Sequence, residues 1–123
     1  MRNFRDLDVW KSSVAFVKKI YQMTDTFPSS EKFSLTSQIS RCAVSIPSNI
    51  AEGCSRNSQK DFSRFLQISL VSAFELETQI EIAKELNFVN QEHYDGLISE
   101  LHIIQKRIQS LKKYVETKTE PNA

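Results

Sequence analysis

An all-α fold, an antiparallel up-down four-helix bundle, follows from three observations on this 123-residue chain. Only two glycines and three prolines occur, too little turn material for a many-stranded sheet. Apolar residues recur at steps of three and four in four separate stretches. Short polar connections separate those stretches, and helices joined by short loops pack as antiparallel neighbours.

Helix 1 is expected over residues 7–26, where Leu7, Trp10, Val14, Val17 and Tyr21 mark a stripe that Phe16, Ile20 and Met23 widen. Phe27-Pro28-Ser29-Ser30 ends it, because proline disfavours helix in the residue before it. A turn over Ser30–Phe33 and an N-cap at Ser34 introduce helix 2, expected over 35–54. Its stripe is Leu35, Ile39, Cys42, Ile46, Ile50 and Gly53. Pro47 lies inside, lacking an N–H and clashing with the carbonyl four residues back at a cost of about 3 kcal/mol. The apolar period continues across it, so a kink is expected rather than an end. Gly53 supplies a permissive backbone for the stop.

Ser58-Gln59-Lys60-Asp61 reads as a variant capping box opening helix 3, expected over 58–87. Its core stripe is Phe62, Leu66, Ser69, Ala73, Leu76, Ile80 and Ala83. Asn90 caps helix 4, expected over 91–116, whose seam Tyr94, Leu97, Leu101, Ile104, Ile108, Leu111 and Val115 has coiled-coil spacing. A frayed tail is expected from about residue 118. The whole of 1–123 reads as one domain.

Composition narrows the function classes. Sixteen basic against fifteen acidic residues give a net charge of +1, which argues against a strong nucleic-acid binder. The amino terminus has no apolar leader core and no run is long enough to span a membrane, so a cytoplasmic protein is expected. Cys42 and Cys54, twelve positions apart on one helix, stand about 18 Å from each other, too far to bridge.

Signatures of catalysis are missing. Gly53 and Gly96 are isolated and cannot cradle a phosphate. His93 and His102 lack the i, i+4 spacing of a helical metal pair, and neither has a glutamate three residues before it, as a di-iron bundle requires. The expectation is no enzyme, no cofactor and no metal.

Polar side chains are nonetheless ordered. Gln38, Arg41, Ser45, Asn49 and Glu52 fall on one flank of helix 2, and Ser72, Glu75 and Gln79 on one flank of helix 3. If the flanks meet, Arg41 can pair with Glu75, within the bundle or at a subunit contact, in a buried network that fixes helix register; a ligand or nucleic-acid site is the alternative reading. Arg56, Lys60 and Arg64 form the best basic cluster, a set of possible phosphate contacts. Helix 3 is also apolar around its circumference, with Phe65, Ile68, Leu70, Val71 and Phe74 beyond its core stripe. A helix apolar all round must be buried all round, which points to self-association.

These residues carry a resemblance. The run Gln38-Ile39-x-Arg41-x-Ala43-x-Ser45-Ile46-Pro47-Ser48-Asn49-Ile50-Ala51-Glu52-Gly53 resembles the signature of the four-helix bundle family encoded in bacterial 23S rRNA intervening sequences. Asp6-Leu7-x-Val9-Trp10, Phe27-Pro28, Glu31, Arg56, Phe62, Phe65-Leu66-Gln67-Ile68, Ser72, Glu75-Leu76-Glu77 and Gln79 follow the same pattern, so the likeness spans nearly the whole chain. Cys42 stands where the family usually has alanine, and Val71 where it usually has glycine. The resemblance implies a bundle that assembles into a ring, often a homopentamer, with no established enzymatic activity. A related group, the accessory variability proteins of diversity-generating retroelements, uses a similar pentameric barrel to bind nucleic acid and reverse transcriptase, but is strongly basic. The leading expectation is a non-enzymatic, self-assembling interaction scaffold whose partner is itself. The alternative is a nucleic-acid-binding accessory protein that holds RNA or DNA weakly.

Overall fold

A computed structural model describes residues 2–119, and among them four helices and no strands. They are α1 (Asp8–Thr24), α2 (Leu35–Cys54), α3 (Gln59–Glu85) and α4 (Gln91–Thr119), with single 3-10 turns at Phe4–Asp6 and Ser29–Glu31. Each helix packs on the next in the chain, and α4 returns to α1, as an up-down bundle requires. Helix α4 continues to Thr119, past its expected end at 116 and into the tail expected to fray from about 118; the rest of that tail lies outside the described residues.

Capping chemistry sets the boundaries. The Ser58 hydroxyl accepts from the Asp61 N–H at 3.1 Å, and Asn90 Oδ1 accepts from the His93 N–H at 2.7 Å. Asn87 ends α3 at φ 64°, with its N–H on the Lys84 carbonyl and the Phe88 N–H on the Ala83 carbonyl, the two bonds of a Schellman motif. Ser34 stands at the N-cap position of α2 but does not cap it; its hydroxyl donates to the Glu31 carboxylate at 2.9 Å instead.

The core stripes of α3 and α4 lie where their spacing places them, with Phe62, Leu66, Ser69, Ala73, Leu76, Ile80 and Ala83 all buried. Helix α1 is rotated from its expected stripe: Val14 and Tyr21 are exposed, while Val9, Ser13, Phe16, Ile20 and Met23 are buried. Ser13 is tolerated inside because its hydroxyl donates to the Val9 carbonyl at 2.7 Å.

Helix α2 runs unbroken through the buried Pro47. Gly53 does not act through a special backbone, since no glycine has positive φ. Its role is steric. A Cβ there would lie 2.8 Å from Phe62 Cδ1 and 3.0 Å from Phe65 Cβ, so the missing side chain lets α2 approach the start of α3.

Candidate functional site

The polar flanks of α2 and α3 meet at mid-bundle. Ser45 Oγ and Ser72 Oγ are 2.8 Å apart, and Asn49 Nδ2 donates to both the carbonyl and the hydroxyl of Ser45 at 2.9 Å. One turn inward, the buried Ser69 hydroxyl donates to the Ile46 carbonyl at 2.8 Å, next to Pro47. Gln79 Nε2 donates to Cys42 Sγ at 3.3 Å, while Gln79 Oε1 is buried without a partner among the described residues. Burial pushes the Cys42 thiol up, which the Gln79 bond opposes.

Other members of the expected network stand apart. Arg41 and Glu75 are both exposed and form no ion pair among the described residues, so of the two expected settings the one within the bundle is not seen. The physical reason is rotational: both lie on the solvent side of the line through Ser45 and Ser72. Gln38 is exposed too. Glu52 turns along its own helix to Arg56 Nη2 at 2.8 Å rather than across to α3.

The basic cluster is organised around an aromatic ring. Arg56 and Arg64 both stack on Phe65, with guanidinium carbons 4.5 and 4.8 Å from the ring centroid. Lys60 is exposed beside them. Arg2 lies 5.0 Å over Phe62, close to the buried Cys54, whose thiol is pushed up by burial.

Of the apolar residues expected at a subunit contact, Ile68, Val71 and Phe74 are exposed and Phe65 is half-buried. Leu70 is a correction: it is only 6% exposed and belongs to the core, because helical spacing puts it on the same side of α3 as Ser63 and Glu77, which bond to α4. A second exposed patch went unread in the sequence. Tyr21, Phe33 and Val44 border a groove of about 500 Å³ between α1 and α2, with Phe33 88% exposed. An apolar residue in a loop carries no periodicity, so nothing in the pattern marked Phe33.

Neither histidine is bonded to the hydroxyls of the α2–α3 network among the described residues: His102 sits on the α3–α4 side, 3.1 Å from Glu77, and His93 is exposed at the start of α4. The Gln105 amide beside that pair helps hold the Glu77 carboxyl below its ordinary range. Among the described residues no group of three or more His, Cys, Asp or Glu could hold a metal ion, and no helix is long and apolar enough to cross a membrane.

A family model for the 23S rRNA-intervening sequence protein matches residues 5–110. The chain belongs to this family. A crystal structure of a protein with unknown function from the S23 ribosomal protein family of Bacteroides thetaiotaomicron is similar at 28% identity and a TM-score of 0.79. That likeness covers 85% of this chain and 95% of the other. No curated protein matches. Within the matched span, Ser45, Asn49 and Ser72 are hydrogen-bonded where α2 faces α3, and Gly53 lets α2 approach the start of α3. Val71, where the resemblance leads to an expectation of glycine, is 45% exposed.

Proposed function

We propose that the protein is a non-enzymatic, self-assembling bundle, a homopentameric ring that acts as an interaction scaffold. The observation that carries this is the presence of two separate exposed apolar surfaces on one protomer. One is the outer arc of α3, with Ile68, Val71, Phe74 and Ile82 between 38% and 45% exposed. The other is the groove bordered by Tyr21, Phe33 and Val44. Contiguous apolar surface of this kind marks interfaces. A ring requires a heterologous contact, in which two different patches of the same chain meet between neighbours. Charge favours the same pairing, since Glu75 borders the arc while Lys32 and Arg41 line the groove.

Light scattering tests the assembly. Five copies of the 14.2 kDa chain should give about 71 kDa, and a mass of one chain overturns the reading. Val71→Glu spoils the arc and Phe33→Glu the groove, so each variant alone should be monomeric. Mixed, they retain one intact pair of surfaces and should form a heterodimer and nothing larger. Failure of the mixture to associate rejects the heterologous contact.

A further inference from the structure

We propose that the end of the bundle formed by residues 2–16, 45–72 and 105–118 is a docking surface for single-stranded nucleic acid. The inference goes beyond self-assembly and applies to a single protomer as much as to a ring.

The sequence conceals this surface, because the net charge is only +1 and both signs run along the whole chain. Folding sorts them. The Ser45–Ser72 and Gln105–Ala73 hydrogen bonds mark the middle of the bundle on α2, α3 and α4, and residue 16 is the midpoint of α1. On one side, residues 2–16, 45–72 and 105–118 carry eleven Lys and Arg against five Asp and Glu. On the other, residues 17–44 and 73–104 carry five against nine. One half is therefore net positive by six and the other net negative by four, with Glu120 lying outside the described residues.

Distance keeps the two ends electrically separate. Helix α3, with 27 residues, is about 40 Å long at 1.5 Å per residue. The Debye length at physiological salt is about 8 Å. A ligand at the positive end responds to that end and not to the overall charge. Helix dipoles do not offset it, since two helices begin and two finish there.

Much of this charge is available. Among the described residues only Arg56, Arg64 and Lys112 of the eleven cations form ion pairs, with Glu52, Asp61 and Glu116. Lys11, Lys60, Lys106 and Lys113 are exposed and have no ion-pair partner among the described residues. Asp6 and Asp8 are the remaining acids. Contacts tie the cationic segments into one surface: Arg107 donates to Ser12 at 3.0 Å, Ser63 to Glu116 at 2.9 Å, and Arg2 lies over Phe62.

Aromatic rings favour single strands over other polyanions. Arg5 covers Phe4 and Trp10, Arg56 and Arg64 cover Phe65, and Lys118 covers the half-exposed Tyr114. Cationic groups layered on rings offer phosphate contacts and stacking platforms side by side, the combination that holds unpaired bases.

The test is fluorescence anisotropy with a labelled single-stranded RNA, oligomeric mass being measured on each sample. The wild type should bind at low salt with a log–log salt slope of about −3 or steeper, corresponding to four or more phosphates at about −0.7 each. Lys60→Glu with Lys113→Glu should weaken binding by about tenfold or more, whereas Lys19→Glu with Lys84→Glu at the other end should change it by less than about twofold. Absence of binding by the wild type, a shallower slope, or equal losses in the two double variants overturns the proposal. So does stronger binding to the duplex of the same sequence or to vesicles of anionic lipid. The wild-type slope stands even if a variant misfolds, and RNA binding by a protein of single-chain mass would reject the ring alone.

Discussion

The seam between α2 and α3 and the seam between α4 and α1 are built on different principles. The first is tight and internally bonded: a side-chain-free Gly53 against Phe62, then Ser45 with Ser72, Ser69 with a backbone carbonyl, and Gln79 with Cys42. The second is loose at its surface. It is bridged by Lys19 to Glu100 and by Arg107 to Ser12, and open grooves of about 700 and 450 Å³ flank it. Of the polar residues singled out on α2 and α3, Ser45, Asn49, Ser72 and Gln79 gather on the tight seam. A row of ordered polar side chains there reflects the demands of close helix approach, where small hydroxyls satisfy each other without holding the backbones apart.

Breaking the tight seam should have the largest effect. Gly53→Ala places a methyl group against a buried ring and should lower the unfolding free energy by about 1–3 kcal/mol, measured by urea denaturation. Gly96→Ala is the matching control: a Cβ there meets nothing within 4 Å, so the substitution should stabilise by up to about 1 kcal/mol. If Gly53→Ala stabilises as well, the close approach has been misjudged. Ser69→Ala should cost about 1 kcal/mol, the contribution of one buried hydrogen bond. The loose seam should respond least. Lys19→Ala should change stability by less than about 1 kcal/mol, and the loss should shrink further in high salt. A larger loss would show that the two seams are energetically alike.

Much of this architecture was legible before any coordinates. Periodicity located all four helices to within a few residues and placed the core stripes of α3 and α4, because those helices carry one clean stripe each. It misplaced the face of α1, where two overlapping stripes compete and a buried serine disguises the inner one. The candidate network was half legible. Spacing along a helix gives angles about that helix's own axis, which sufficed for Ser45 and Ser72. It does not give the rotation of one helix against the next, and that rotation sends Arg41 and Glu75 into solvent. Gly53 was read as a backbone device, since spacing alone does not reveal how near another helix passes. Charge was the least legible feature, because a running tally along the chain averages over helices that alternate in direction.

That alternation also constrains how copies can lie beside one another. In a ring whose axis follows the bundles, neighbours point the same way, and each positive end stands level with the next. A twofold pair with reversed bundles would instead set positive beside negative. Electrostatics thus opposes the aligned arrangement and favours the reversed one, by an amount that falls as salt shortens the Debye length. The apolar contacts of the α3 arc must outweigh this bias for a ring to close. The balance between aligned and reversed neighbours is therefore set by ionic strength as well as by surface shape.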